Sequence, residues 1–277
     1  MAIHAIQHRF EILPFGAGEQ EAAELPEPVR LTVTCSPKHG PDLTVDVGTR
    51  LRSLGHAVTV HIAARMVRDA GHLDALLAQM AGAGIDDMFL VGGDVSEPLG
   101  EYASALELLP LIAGHPQRPS TIGVPGYPEG HPLIDDATLA RVLREKCELA
   151  DYITTQMCFH ARTLREWIEA QRLEGIANPV LIGLPGKVKV ARLFELSMRI
   201  GVGSSIGYLR KQHGIQHLFG RSIGDRLFDE LSPALGDPRL AIDGFHHFTF
   251  NQLLDTWRSR AGEGRLPAVG GGGGGGG

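Results

Sequence analysis

Short runs of β-branched and aliphatic residues alternate along this chain with longer stretches whose apolar positions recur every three or four residues. The short runs predict strands at His8–Leu13, Arg30–Thr34, Ala57–Ile62, Asp87–Val91, Thr121–Val124, Tyr152–Thr155, Pro179–Ile182 and Ala241–Thr249. The amphipathic stretches predict helices over Leu43–Leu54, His72–Ala81, Ala103–Ile112, Asp135–Glu148, Ala161–Gln171, Val188–Ile200 and Asn251–Arg260. Leu139, Val142, Leu143 and Leu149 show the helical period in the fourth of these.

Strands and helices alternating eight times within roughly 250 residues predict an α/β fold, a (β/α)8 TIM barrel forming a single domain over residues 1–265. The competing open, doubly wound sheet calls for a glycine fingerprint directly after an early strand. Nothing of the kind follows the first strand, and Leu90-Val91-Gly92-Gly93-Asp94 lacks the GxGxxG spacing. The segment Gly201–Pro238 is irregular and reads as a helical insertion before the last strand. Residues 266–277 end in eight glycines, Gly270–Gly277, which cannot pack and read as a disordered tail or linker.

Composition narrows the class. A net charge of −6 argues against general affinity for nucleic acid or anionic membranes. No apolar run approaches the length of a bilayer span, and the N-terminal residues lack the apolar core of a signal peptide. Cys35, Cys147 and Cys158 have no CxxC spacing and are odd in number, which suits a reduced, cytoplasmic protein. HExxH, GxSxG and Walker A patterns are missing, so a metal site, a serine nucleophile elbow and a P-loop are not expected.

In a barrel enzyme the chemistry gathers where strands end and the following loops begin. If Phe10 and Ile12 face the helices, Glu11 points into the barrel, where lost solvation favours the protonated carboxyl that a general acid needs. A salt-bridged glutamate near the barrel floor is the alternative at that position. His61 lies opposite its neighbouring valines, as a core histidine or as a functional one. Gly92 and Gly93 permit close approach of a ligand to the backbone, with Asp94 beside them as ligand or helix cap. Tyr127-Pro128-Glu129-Gly130-His131-Pro132 offers a ring, a carboxylate and an imidazole on one rigid loop. Gln156 can donate and accept at once, which suits a heterocycle of alternating donors and acceptors. The adjacent His246 and His247 point to opposite faces of their strand.

Taken in order, these strand ends resemble the methylenetetrahydrofolate reductase family. The resemblance rests on Phe10-Glu11-Ile12, on Gly93-Asp94, on Tyr127-Pro128-Glu129-Gly130-His131-Pro132 (the family's YPExHP) and on Ile153-Thr154-Thr155-Gln156. It is completed by Phe245-His246 with Thr249 and Asn251. The resemblance implies a reductase acting on 5,10-methylenetetrahydrofolate, with Glu11 and Asp94 catalytic and with Gln156, Asp94 and Phe245 binding the substrate. It also implies a nicotinamide donor held by residues drawn from Thr34, His61, Gly92, Gly93, Tyr127, His131, Lys187 and Lys189. Most members of the family carry FAD, but Gly92, Leu139, Val142 and Glu145 align with positions that face the flavin in those members. A Glu145 carboxylate beside a diphosphate would oppose binding. These departures resemble a short actinobacterial branch that works without flavin, so FAD is expected to be absent and NADH to donate directly. The expected partners are these small molecules, with no nucleic acid and no membrane, in a monomer or a homo-oligomer.

Overall fold

The computed structural model describes residues 7–187 and 223–261. Lys189, the predicted helix Val188–Ile200 and the glycine tail lie outside the described residues. Eight parallel strands, β1 (Gln7–Ile12), β2 (Arg30–Val33), β3 (Ala57–Ala63), β4 (Asp87–Val91), β5 (Thr121–Gly126), β6 (Tyr152–Thr155), β7 (Val180–Pro185) and β8 (Ile242–Phe248), close in sequence order into one barrel. It is a (β/α)8 TIM barrel. The helices placed among these strands are α1 (Gly18–Ala23), α2 (Gly40–Ser53), α3 (Ala70–Gly82), α4 (Ala105–Ala113), α5 (Asp136–Cys147), α6 (Ala161–Leu173), α7 (Ile223–Leu231) and α8 (Leu253–Ala261).

Each predicted strand is present, with ends that move by a few residues. β5 and β7 run on through Pro125 and Pro185, because ladder partners on β6 and β8 hold the backbone extended where local pattern signals a turn. The irregular segment before β8 contains α7, in keeping with a helical insertion. The six-residue α1 has too short an apolar stripe to be predicted. It is held against α8, whose Leu254 N–H donates to Glu21 Oε2 at 2.9 Å.

Alternation along the strands builds two environments. Phe10 and Ile12 of β1, Val58, Val60 and Ile62 of β3, and Met88 and Leu90 of β4 pack outward against the helices. The intervening residues fill the lumen. Arg9 Nη1 donates there to Asp87 Oδ2 at 2.7 Å, to the Tyr152 hydroxyl at 2.7 Å and to Thr59 Oγ1 at 3.1 Å. Tyr152 and Thr59 in turn donate to the two oxygens of Asp87, at 2.9 and 2.8 Å. A side chain at Gly123 would come within 2.2 Å of the Tyr152 ring, so the glycine makes room for this floor. Glu11, His61 and Phe89 each stand two residues further along their strands than Arg9, Thr59 and Asp87. They form the next layer towards the C-terminal mouth, where barrel enzymes work.

The seam between first and last strands is fastened just above that layer. Thr249 N–H and Oγ1 donate to the Glu11 carbonyl, and Asn251 Oδ1 accepts from Leu13 N–H at 2.8 Å. Asn251 adopts φ +60°, a conformation that asparagine tolerates better than most residues. Both late motif residues therefore serve as architecture at the base of the site.

Candidate active site

Strand alternation delivers Glu11 into the lumen, with the side chain 11% exposed. Its Oε2 lies 3.0 Å from His246 Nε2 of β8 and 3.8 Å from His61 Nε2 of β3. The first distance is a hydrogen bond and the second is too long for one. Among the described residues no protein group bonds to Oε1, so one carboxyl oxygen is anchored and the other is left for a ligand. Burial pushes the His61 imidazole down to about 4, against the opposing pull of Glu11, so it is neutral at physiological pH. Its ring leans on Phe89 at 4.7 Å, while the His246 ring meets Phe248 edge-on at 4.9 Å.

His246 is the member of this trio that sequence reasoning did not single out. The opposite pointing of His246 and His247 is observed. His246 faces Glu11, and His247 stacks on His8 behind the barrel wall, with its Nε2 2.9 Å from His8 Nδ1. The available signal was parity, since His246 sits an even number of residues before Phe248 and so shares its lumen-facing side.

The same parity corrects the expectation for Phe245. It points outward, fully buried, and packs on Phe228 of α7 at 4.7 Å between ring centroids. Phe248 is the aromatic residue of β8 that turns towards Glu11's layer.

Around the mouth, Asp94 is exposed and carries its field to two residues of the loop after β5. Tyr127 is pushed up to about 12, mainly by burial and also by Asp94. His131 is lowered by burial, with Asp94 opposing, and its ring meets Tyr127 edge-on at 5.3 Å. Glu129 of that loop turns inward and accepts a hydrogen bond from the Cys158 thiol, which burial and this carboxylate hold well above its ordinary value. Gln156 follows β6 with its backbone N–H on the Gly126 carbonyl at 2.8 Å. Its Nε2 is buried without a partner, an arrangement that costs about 1–3 kcal/mol unless a ligand accepts the bond. The two glycines divide the work expected of them. Gly93 has φ +99°, and a side chain there would meet Ala63 at 3.0 Å, whereas Gly92 faces open space.

Gly92 and Tyr127 also border a cavity of about 630 Å³ between α4, the loop after β5, α5 and Trp167 of α6. Leu139, Val142 and Lys146 of α5 line it. Leu139 and Val142, which the resemblance aligns with flavin-facing positions, are only partly buried and face this cavity. Lys146 is 5% exposed, and among the described residues no carboxylate pairs with it. Burial lowers its ammonium to about 8, despite the opposing influence of Cys147. Glu145 is not part of the lining. It is paired at 2.6 Å with Arg141, which does line the cavity.

Two nucleotide candidates are committed elsewhere. The Lys187 ammonium lies 3.6 Å from Asp225 of α7, and Thr34 Oγ1 donates weakly to the Ile12 carbonyl at 3.4 Å. Among the described residues no group of three or more His, Cys, Asp or Glu could hold a metal ion, and no helix is long and apolar enough to cross a membrane.

A barrel with a buried carboxyl at its mouth fits many chemistries, and comparison with known proteins narrows them. The family profile described as methylenetetrahydrofolate reductase matches residues 27–196, more than half of the chain. The chain belongs to this family. The match includes β2 through β7, and with them Asp94, Tyr127, His131, Lys146 and Gln156. Methylenetetrahydrofolate reductase 1 of Schizosaccharomyces pombe is 28% identical over 120 residues, covering 40% of this chain and 20% of that protein. The aligned part thus spans about a fifth of that relative's length.

Proposed function

We propose that this chain reduces 5,10-methylenetetrahydrofolate to 5-methyltetrahydrofolate, with NADH giving hydride directly and Glu11 as the acid. The observation that carries this reading is the split carboxyl of Glu11, with Oε2 tied to His246 and Oε1 without a hydrogen bond among the described residues. In the substrate, one carbon bridges N5 and N10. A proton passed from Glu11 Oε1 to N10 lets the N10–carbon bond break, leaving an N5 iminium and a Glu11 carboxylate. Hydride from the nicotinamide then adds to the iminium carbon to make the methyl group, and a solvent proton restores Glu11. Gln156 Nε2 would give its unmet hydrogen bond to the pterin. Asp94 would bind the amino-pyrimidine edge or stabilise the cationic iminium.

The cavity beside α5 is the place for the donor. Lys146 is a buried cation with no paired carboxylate, which suits a diphosphate. Gly92 allows close approach and Tyr127 lines the cavity, with the His131 ring edge-on to Tyr127 at 5.3 Å. Leu139 and Val142 present no polar atoms to this space. Apolar side chains at these two aligned positions support the flavin-free reading, although Ser104, Thr138, Arg141 and Gln171 also line the cavity. Residues of this site also come from β1 and β8, outside the matched span. We place the reaction in the cytoplasm, in keeping with the reduced cysteines.

The test is NADH oxidation by the purified protein with methylenetetrahydrofolate and no added flavin, after recording the visible spectrum. Turnover by a colourless protein supports direct transfer. A yellow protein, or turnover only after FAD is supplied, would replace the donor part of the proposal and leave the folate part standing. Folate binding with no reduction under either condition would make this chain a folate-binding protein without reductase activity.

A further inference from the structure

Glu11 is surrounded by groups whose arrangement is more specific than a general acid alone requires. His246 approaches Oε2 from β8 at 3.0 Å, and His61 stands off from β3 at 3.8 Å. Thr32 is in register with Glu11 on β2, and its hydroxyl is buried without a partner. The Arg9–Asp87 pair lies one layer below with its charges matched. From the loop after β8, Thr249 holds the Glu11 backbone carbonyl, so the main chain cannot drift while the side chain reacts. Phe248 seats the His246 ring edge-on. Of the two imidazoles, only His246 is close enough to share a proton with the carboxyl.

We propose that His246 is a positioning residue for Glu11, its Nε2–H donating to Oε2 so that the acid proton resides on Oε1, facing the substrate. This rests on the acid role proposed for Glu11. In the resting state Oε2 is then the carbonyl-like acceptor and Oε1 carries the hydrogen. When that hydrogen moves to N10, the O–H bond breaks and the electron pair stays on the carboxylate. The bond from His246 becomes charge-assisted at the moment negative charge appears, so it stabilises the transition state more than the ground state. A donor to the ionised form also makes Glu11 a stronger acid. His61, uncharged and beyond hydrogen-bond reach, leaves this assignment to His246.

Two variants and one spectrum test this. His246→Leu removes the donor, and kcat should fall about tenfold or more while the folate KM stays within about threefold. The basic limb of its kcat–pH profile should move up by about one unit, because a weaker acid keeps its proton to higher pH. His246→Gln keeps an N–H near the place of Nε2 and should recover part of kcat and the original limb. Leu and Gln variants with equal kcat and an unshifted limb would overturn the proposal. Nitrogen-15 NMR of the imidazoles in the unaltered protein supplies a readout independent of turnover and of variant folding. It should show His246 as the Nε2–H tautomer, and the Nδ1–H tautomer would overturn the assignment. Failure of the unaltered protein to turn over methylenetetrahydrofolate would instead remove the reductase reading and leave the tautomer result intact.

Discussion

Two polar clusters share the lumen of this barrel, one layer apart, and they are finished differently. In the lower one, Asp87 receives Arg9, Thr59 and Tyr152 on its two oxygens, and burial keeps the Tyr152 hydroxyl protonated far above its ordinary range. Among the described residues Arg9 Nε is left over in that cluster, and the hydroxyl of Thr32, in register with Glu11, is unmet as well. In the upper one, Glu11 Oε1 is unclaimed and His61 Nε2 has no hydrogen bond, while Gln156 Nε2 is unmet at the mouth. Buried polar groups without partners cost stability, so a fold tolerates them where a ligand completes them. The closed cluster supports the barrel, and the open one is the site we propose.

Replacing Glu11 by Gln should make the largest difference. The amide keeps the shape and cannot donate the proton, so turnover should fall by about 10³-fold with folate affinity within a few-fold. Steady-state kinetics and calorimetric folate titration check this, and an active Gln variant would remove Glu11 from the mechanism. Breaking the lower cluster should act on stability instead. Asp87→Ala strands the Arg9 charge inside the barrel, at a cost of about 3–5 kcal/mol in urea denaturation. A loss below about 1 kcal/mol would mean that the floor is not the structural element inferred here. The smallest effects belong to the rim. Gln156→Ala and Asp94→Asn should each raise the folate KM about tenfold with little change in melting temperature, since each removes one ligand hydrogen bond. Unchanged kinetics in both variants would dissolve the proposed pterin site and leave Glu11 alone at the mouth.

How much of this was legible beforehand differs from residue to residue. Glu11's inward turn follows from the apolar residues on either side of it, a purely local signal. Gly93 was legible as a special backbone position, though the clash with Ala63 that requires glycine could not be seen. Phe245 was misplaced because its motif suggested ligand contact, while its parity with His247 puts it outside the barrel. Leu139 and Val142 were legible as part of a helical stripe and, through the resemblance, as neighbours of the flavin position, but the period alone does not say whether a stripe meets a helix or a cavity. Glu145 was aligned with a position facing the ligand, and in the structure it reaches the cavity only through its ion pair with the lining residue Arg141.

The sequence by itself determined the order and kind of elements, and hence the closed parallel barrel. Those follow from periodicity, which each segment carries within itself. It also determined which side of β1 Glu11 occupies and, through its motifs, the family. The tertiary structure alone decided that His246, 235 residues away in the chain, bonds to Glu11. Likewise it decided that Arg9 is neutralised by Asp87 and that Lys146 lines a cavity with no paired carboxylate among the described residues. Such pairings depend on strand register and barrel closure, which are set by the packing of the whole chain and have no signature in any one segment.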